Sequence, residues 1–236
     1  MSKDLIKTIW HWIKQYPIIG IPYQKLFGKK KTEKLFKEKS EHVKKYGVSA
    51  VKYIEEALIN LGVPFYIDFG SLLGVIRNRK FIEWDPDIDY AIVVDKQFEW
   101  NKLQGELGKY GFRKIKEWKQ EGIITEQTFQ IEKLTVDFFA HYIEGSSMEA
   151  FVYSRVKGHI YKNNEFGVYS VITPRVFDTT QVSIGEVSVS VPTNAEEYLA
   201  SLYNTNWKIP NPNWVAFSGP AYHLLPGCVG IPTEYE

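Results

Sequence analysis

The sequence predicts an α/β (α+β) protein in which a mixed β-sheet is flanked by helices and preceded by a basic helical arm. Three observations predict it. Val48, Val51, Ile54, Glu55, Leu58 and Leu61 form a stripe at helical spacing that stops at Gly62, a residue suited to ending a helix. Strand-like and helix-like patterns then alternate from residue 64 to residue 110, and from Phe112 to Val191 the chain breaks into short stretches rich in β-branched and aromatic residues.

The elements follow in order. Residues 1–45 form the arm: Leu5, Ile9, Trp12 and Ile13 recur at helical spacing, Pro17 and Pro22 interrupt, and Lys29, Lys30 and Lys31 follow. Residues 46–236 form the body. Its first strand reads Pro64 to Phe69, turns at Gly70-Ser71, and passes into a short helix through Leu72, Leu73, Gly74, Val75, Ile76 and Arg77. A polar loop from Asn78 to Asp85 precedes a strand, Asp87 to Val94, that is apolar on both faces after its acidic start, as a strand inside a sheet should be. Phe98 to Tyr110 reads as helix. Leu134 to Phe139 and Glu186 to Val191 are the clearest later strands, a helix returns over Asn194 to Leu202, and the last thirty or so residues, with Pro210, Pro212, Pro220, Pro226 and Gly227, read as irregular chain laid over the body.

Composition excludes several classes. The 236 residues suit one dominant core, and 44% hydrophobic with 24% charged residues is ordinary for a soluble chain, which excludes disorder and collagen. The single cysteine, Cys228, forms no internal disulfide, and the five histidines lack zinc-ligand spacing, so a reducing compartment is expected. No apolar run reaches the roughly 18 residues of a spanning helix, and the opening lacks the apolar core of a secretory signal. Cytoplasmic location is expected on both grounds. The net charge of +1 conceals an asymmetry: residues 1–45 carry twelve lysines against four acids, net +8, and the remainder is net −7. An anionic membrane surface is one partner for such an arm, and packing on the body with solvated lysines is the other reading. Nucleic acid is not expected, because the acidic body repels it.

Chemistry is carried by three features. Asp87 and Asp89 lie two apart on a strand, so both carboxylates leave on one face, while Ile88, Tyr90 and Ile92 anchor the other. Two such carboxylates repel when ionised unless a cation neutralises them, although Asp-x-Asp pairs are also common at surfaces and turns. Asp137 is an isolated acid between Val136 and Phe138-Phe139, and its charge calls for either a basic partner or a cation shared with the other acids. Gly70 and Ser71 stand at a strand-to-helix turn, where free N–H groups and the helix dipole suit a phosphate, or where Ser71 simply caps the helix. Arg77 lies six residues beyond Ser71, so only its length or a helix break would bring its guanidinium to that phosphate. Together these features constitute a metal-dependent phosphoryl or nucleotidyl transfer site. Neither G-x-x-x-x-G-K-[ST] nor G-x-G-x-x-G occurs, so P-loop and dinucleotide folds have no support.

The run Asp68-Phe69-Gly70-Ser71-Leu72-Leu73-Gly74-Val75-Ile76-Arg77, followed by Phe81-Ile82-Glu83-Trp84-Asp85-Pro86-Asp87-Ile88-Asp89, resembles the LicD/fukutin family. That family's signature is G-[ST]-L-L-G-x-x-R, a short loop, then F-I-x-W-D-D-D-I-D, and a later strand carries an aspartate matching Asp137. Pro192 to Leu199 with Leu202-Tyr203 resembles its closing helix, so the likeness covers roughly residues 47–210. Pro86 departs from the family's middle acid, and Asn204 stands where glycine commonly follows.

The resemblance implies a nucleotidyltransferase-like fold that moves phosphocholine, ribitol phosphate or glycerol phosphate from CDP-choline, CDP-ribitol or CDP-glycerol to a hydroxyl of a cell-surface glycan or lipid-linked glycan, releasing CMP. Within it, Asp87, Asp89 and Asp137 hold Mg²⁺ (or Mn²⁺), with Asp137 also accepting the acceptor's proton. Gly70 and Ser71 bind the diphosphate, Arg77 stabilises charge on it, and Asp85 supports the acids from behind. Nucleotidyl transfer to a small-molecule hydroxyl, metal-dependent glycosyl transfer and a non-catalytic scaffold are the alternatives. Tyr203, Trp207 and Trp214 are candidates for an aromatic cage around a choline headgroup, or for core.

Overall fold

The computed structural model describes residues 17–236 except 157, 158, 163, 212, 213 and 236, with side chains from residue 34 onward. Leu5, Ile9, Trp12 and Ile13 of the expected arm helix lie outside the described residues. The chain forms two compact units, Met1–Glu38 and Lys39–Glu236. Helix α1 runs Pro17–Leu61, so Pro17 and Pro22 do not interrupt it. Proline at the first helical position gives up an N–H that has no intrahelical partner, and Pro22 forgoes a single bond.

In the second unit, residues 39–61 of α1 bury Val43, Val51, Ile54, Ala57 and Leu58, the face that the apolar stripe predicts. Strand β1 (Phe65–Ile67) leads into helix α2 (Phe69–Asn78), then β2 (Ile88–Val93) and helix α3 (Trp100–Lys109). Six strands follow: β3 (Arg113–Gln120), β4 (Ile123–Ile131), β5 (Leu134–Glu144), β6 (Ser147–Ser154), β7 (Phe166–Pro174) and the first strand of a hairpin, β8 (Thr179–Ile184). The hairpin's second strand β9 (Val187–Pro192), helix α4 (Ala195–Tyr203), β10 (Tyr222–Gly230) and β11 (Thr233–Glu234) complete it.

The sheet is mixed, as expected. Strands run in the order β10-β7-β6-β5-β4-β3-β11 with antiparallel neighbours, and β2 joins β5 in parallel while pairing β1 on its other side. Strand β5 is the pivot. Its residues 134–139 pair with β4, 136–141 with β2, and only 142–144 with β6. The core lies where β1, β2 and β5 meet the helices: Tyr90 stacks on Phe138 at 5.8 Å, Phe129 meets Phe138 edge-on, and Ile54, Leu72, Leu103 and Leu199 close over them, all inaccessible to solvent. Aromatic pairs of this kind add about 1 kcal/mol each beyond their buried area.

The C-terminal tail differs from expectation, because it is not wholly irregular. Strand β10 pairs with β7, interrupted by a register shift between Leu224 and Val229 that takes up Pro226 and Gly227, whose φ is +77°. A bulge lets proline sit in a strand without breaking its ladder, so Pro-Gly there marks the irregularity and not the end of the sheet.

Candidate active site

The parallel register sets Asp89 of β2 directly beside Asp137 of β5, and neighbouring residues in a ladder present their side chains on the same face. On the other flank of β5, Thr128 of β4 lies opposite Asp137 and its hydroxyl donates to Asp137 Oδ1 in a short hydrogen bond. No arginine meets Asp137, so of its two expected forms of compensation the ion pair is absent among the described residues.

The strand-to-helix turn is built around Asp68. Helix α2 begins at Phe69, three residues before the expected run from Leu72, and Asp68 is its N-cap: Oδ1 accepts from Phe69 N at 2.7 Å and from the Tyr198 hydroxyl at 2.9 Å. Oδ2 lies 3.0 Å from His141 Nε2, and His141 Nδ1 lies 3.3 Å from the Tyr66 hydroxyl. All four side chains are inaccessible to solvent. Phe69 is forced to φ +42°, a left-handed conformation costly for a bulky residue, and its ring is fixed edge-on against Phe139 at 4.9 Å.

This turn grips β2. Asp68 N donates to Asp89 O at 2.9 Å, and Asp89 N donates to Ser71 Oγ at 3.1 Å. Ser71 is therefore fully buried with its oxygen occupied by strand backbone, inside the helix's first turn and not capping it. Gly70 serves a neighbour too. A Cβ there would collide with Asp85 Oδ2, so the absence of a side chain makes room for that carboxylate. Gly74 does the same for backbone, since a Cβ would come within 2.6 Å of Lys80 O and 3.0 Å of Ile82 N, pinning the loop that carries the acids to the helix.

Four aspartates thus gather with little to balance them. Burial pushes Asp85 up to about 7, and Asp85 Oδ2 has no hydrogen-bond partner although it is hidden from solvent. Burial pushes Asp87 up to about 8, reinforced by Asp137 and Asp85 and opposed by Lys39 and Lys116. Asp89 is raised well above the carboxylate range by burial, then by Asp87, Asp85, Asp137 and Asp68. Glu126, two residues from Thr128 and on the same face of β4, is buried and raised by the same causes, with Asp137 the foremost neighbour. Such a donor set, hard oxygens only and short of positive charge, fits a divalent cation such as Mg²⁺. Among the described residues no three of these carboxylates stand within reach of one ion.

Of the predicted residues, Gly70, Ser71, Asp85, Asp87, Asp89 and Asp137 are brought together. Arg77, in the last turn of α2, makes no ion pair with any of them; its Nε lies 3.2 Å from the Asn78 side-chain amide, oriented to accept. Trp207 is core at 6% exposure, and Tyr203 packs on Trp214 with ring centres 5.3 Å apart. Sequence reasoning missed Lys39, Lys116, Thr128 and Glu126, which carry no motif and reach the site only through strand register and the course of α1.

Residues 62–194 match the family model described as LicD/FKTN/FKRP, nucleotidyltransferase domain, a span that holds Gly70, Ser71, Arg77 and the four aspartates. No curated protein matches the chain. Among solved structures, the solution structure of the antibiotic-resistance factor ANT(2'')-Ia is 14% identical over 73% of this chain and 78% of that one, with a TM-score of 0.44.

Proposed function

Since the chain belongs to the LicD/FKTN/FKRP nucleotidyltransferase-domain family, a family of transferases, we propose that it transfers a phospho-alcohol from a CDP-activated donor to a hydroxyl of a glycan and releases CMP. Phosphocholine, ribitol phosphate and glycerol phosphate are the candidate groups. The observation that carries this reading is the face shared by Asp89 and Asp137 in parallel register, with Asp87 and Asp85 beside them and no arginine to neutralise them.

Asp87 and Asp89 would hold Mg²⁺ or Mn²⁺. Such an ion supplies charge neutralisation for a diphosphate and orients it for displacement. The protein's own groups do the rest. Ser71 and the Asp68 turn fix the backbone of Asp89 on both its N–H and its C=O, so that carboxylate enters the reaction already oriented. Asp137, held through one oxygen by Thr128, has its other oxygen free to take the proton of the attacking glycan hydroxyl. The new bond joins the glycan hydroxyl oxygen to the donor's alcohol-bearing phosphorus, and the bond from this phosphorus to the CMP oxygen breaks. Arg77 would have to extend from the end of α2 to meet charge developing on the phosphates. On the same reading, the lysines of residues 1–45 other than Lys39, which lines the cleft beside the acids, hold the protein to the anionic inner face of the membrane where lipid-linked glycans are made. No helix among the described residues is long and apolar enough to cross a membrane.

The test is to incubate the purified protein with Mg²⁺, a glycan extract and CDP-choline, CDP-ribitol or CDP-glycerol separately. CMP release with one donor is the expected result. Pyrophosphate release from a nucleoside triphosphate, with no CMP from any CDP-alcohol, would replace this reading with nucleotidyl transfer.

A further inference from the structure

Beside the acids lies a cleft of about 280 Å³ lined by two cations, Lys39 from α1 and Lys116 from β3, and by Asp87 and Asp137. Neither lysine makes an ion pair among the described residues. Lys39 Nζ reaches only a neutral partner, Thr135 Oγ1, at 3.3 Å, and the Lys116 ammonium lies 5.5 Å from the centre of the Trp118 ring. The neighbouring lysines are engaged differently: Lys114 and Lys119 both bind Glu117, at 3.0 and 3.2 Å. Lys116 is thus the cation of this strand left to face the cleft. Both Lys39 and Lys116 act on Asp87 through space, so they flank the same carboxylate without contacting it.

A cleft with an acidic floor and two unpaired ammonium groups rejects a simple anion and a simple cation alike. It suits a ligand that brings negative charge to the lysines and shares a divalent ion with the aspartates. A diphosphate has that chemistry, with two adjacent anionic phosphates, each able to take one lysine while its remaining oxygens face an ion. Thr128 and Thr135 add hydroxyls beside it. Resting on the transfer reading above, we propose that Lys39 and Lys116 form a clamp, each holding one of the two phosphates of the nucleoside diphosphate ester in the cleft they share with Asp87. Lys39 precedes the matched span 62–194, and Tyr235, which also lines the cleft, follows it. Tyr235 is held by its own N–H on Ile115 O at 2.9 Å and by the Lys114 ammonium 4.2 Å from its ring. The ends of the second unit therefore wall a site whose floor belongs to the family's domain.

The experiment titrates the full chain with pyrophosphate in excess Mg²⁺ by calorimetry and separately measures donor turnover. Lys39→Ala and Lys116→Ala are each expected to weaken magnesium pyrophosphate binding at least tenfold and to raise the donor KM more than they lower kcat. Lys96→Ala, on the exposed loop after β2, should bind as the parent does. Lys39→Gln and Lys116→Gln serve if an alanine variant does not fold. Binding within twofold of the parent in both lysine variants, or no binding by the parent, overturns the clamp. Lysine-dependent pyrophosphate binding without use of any CDP-alcohol would keep the clamp and discard the donor; CMP release indifferent to both lysines would do the reverse.

Discussion

Two acidic groups in this protein, one buried and one mostly half-buried, are treated in opposite ways. Glu55, on α1, is surrounded by donors: Oε1 accepts from Tyr90 OH and Ser190 N, both at 3.1 Å, and Oε2 accepts from Ser190 Oγ at 2.7 Å. It joins helix α1, strand β2 and strand β9, and no ligand is needed to complete it. Asp85, Asp87, Asp89 and Asp137 are left short of partners, with Asp85 Oδ2 bonded to nothing. A buried carboxylate whose oxygens are all satisfied is part of the framework. A set whose oxygens are not satisfied either holds its protons or takes a cation from outside the chain.

The sharpest way to break this comparison is to remove a charge from each side. Asp89→Asn should lower turnover by about 10³-fold or more while leaving the thermal midpoint unchanged or higher, because it relieves repulsion. Retained CMP release, or collapse of the fold, would place Asp89 with Glu55 as framework. Glu55→Ala should instead cost about 3 kcal/mol of stability in urea unfolding, since it strands the Ser190 N–H and Tyr90 hydroxyl, whereas Glu55→Gln keeps acceptors for both and should cost about 1 kcal/mol or less. Equal losses in the two variants would mean that the hydrogen bonds are not what Glu55 contributes. Gly74→Ala sharpens the active-site side: pressing a methyl against Lys80 O should destabilise by about 1–3 kcal/mol and displace the acid-bearing loop, seen as weaker Mg²⁺ binding.

The comparison extends to pH dependence. Asp85 and Asp87 have folded values raised to about 7 and about 8 against an ordinary 3.8. The folded state therefore binds more protons than the unfolded chain between those limits, and without metal its stability should fall as pH rises from about 4 to about 8. Glu55, also raised by burial, contributes in the same direction above its ordinary value of 4.5. Added Mg²⁺ should flatten the aspartate part of the slope and leave the Glu55 part, which Glu55→Gln removes. Thermal midpoints measured across pH with Mg²⁺ and with chelator separate the two; a slope indifferent to the ion would deny that the aspartates receive it.

Much of this was legible in the sequence, for identifiable reasons. The apolar run through Ile88 to Val93 marked the strand that carries Asp89, although Asp87 lies in the bend just before β2 and not on it; an acid alone in an apolar strand marked Asp137, and the motif resemblance is borne out by the family match over residues 62–194. The pairing that brings Asp89 to Asp137 was not legible, because parallel register between strands separated by α3, β3 and β4 leaves no local trace. Lys116 was hidden for a related reason: β3 shifts register between Lys114 and Lys116, so counting along the strand does not give its face. Lys39 was read as part of a basic arm, yet it belongs with the second unit. Glu55 stood in plain view within an apolar stripe, and only its partners from β2 and β9, 35 and 135 residues away, explain how a charge fits there.

The packing of Asp85 into the space beside Gly70 has a consequence for how this protein can change over generations. Positions 70 and 85 compete for the same volume, so a lineage that enlarges the first must shrink or turn away the second. The two sites are thereby tied in inheritance, although fourteen residues of helix and loop lie between them in the gene product.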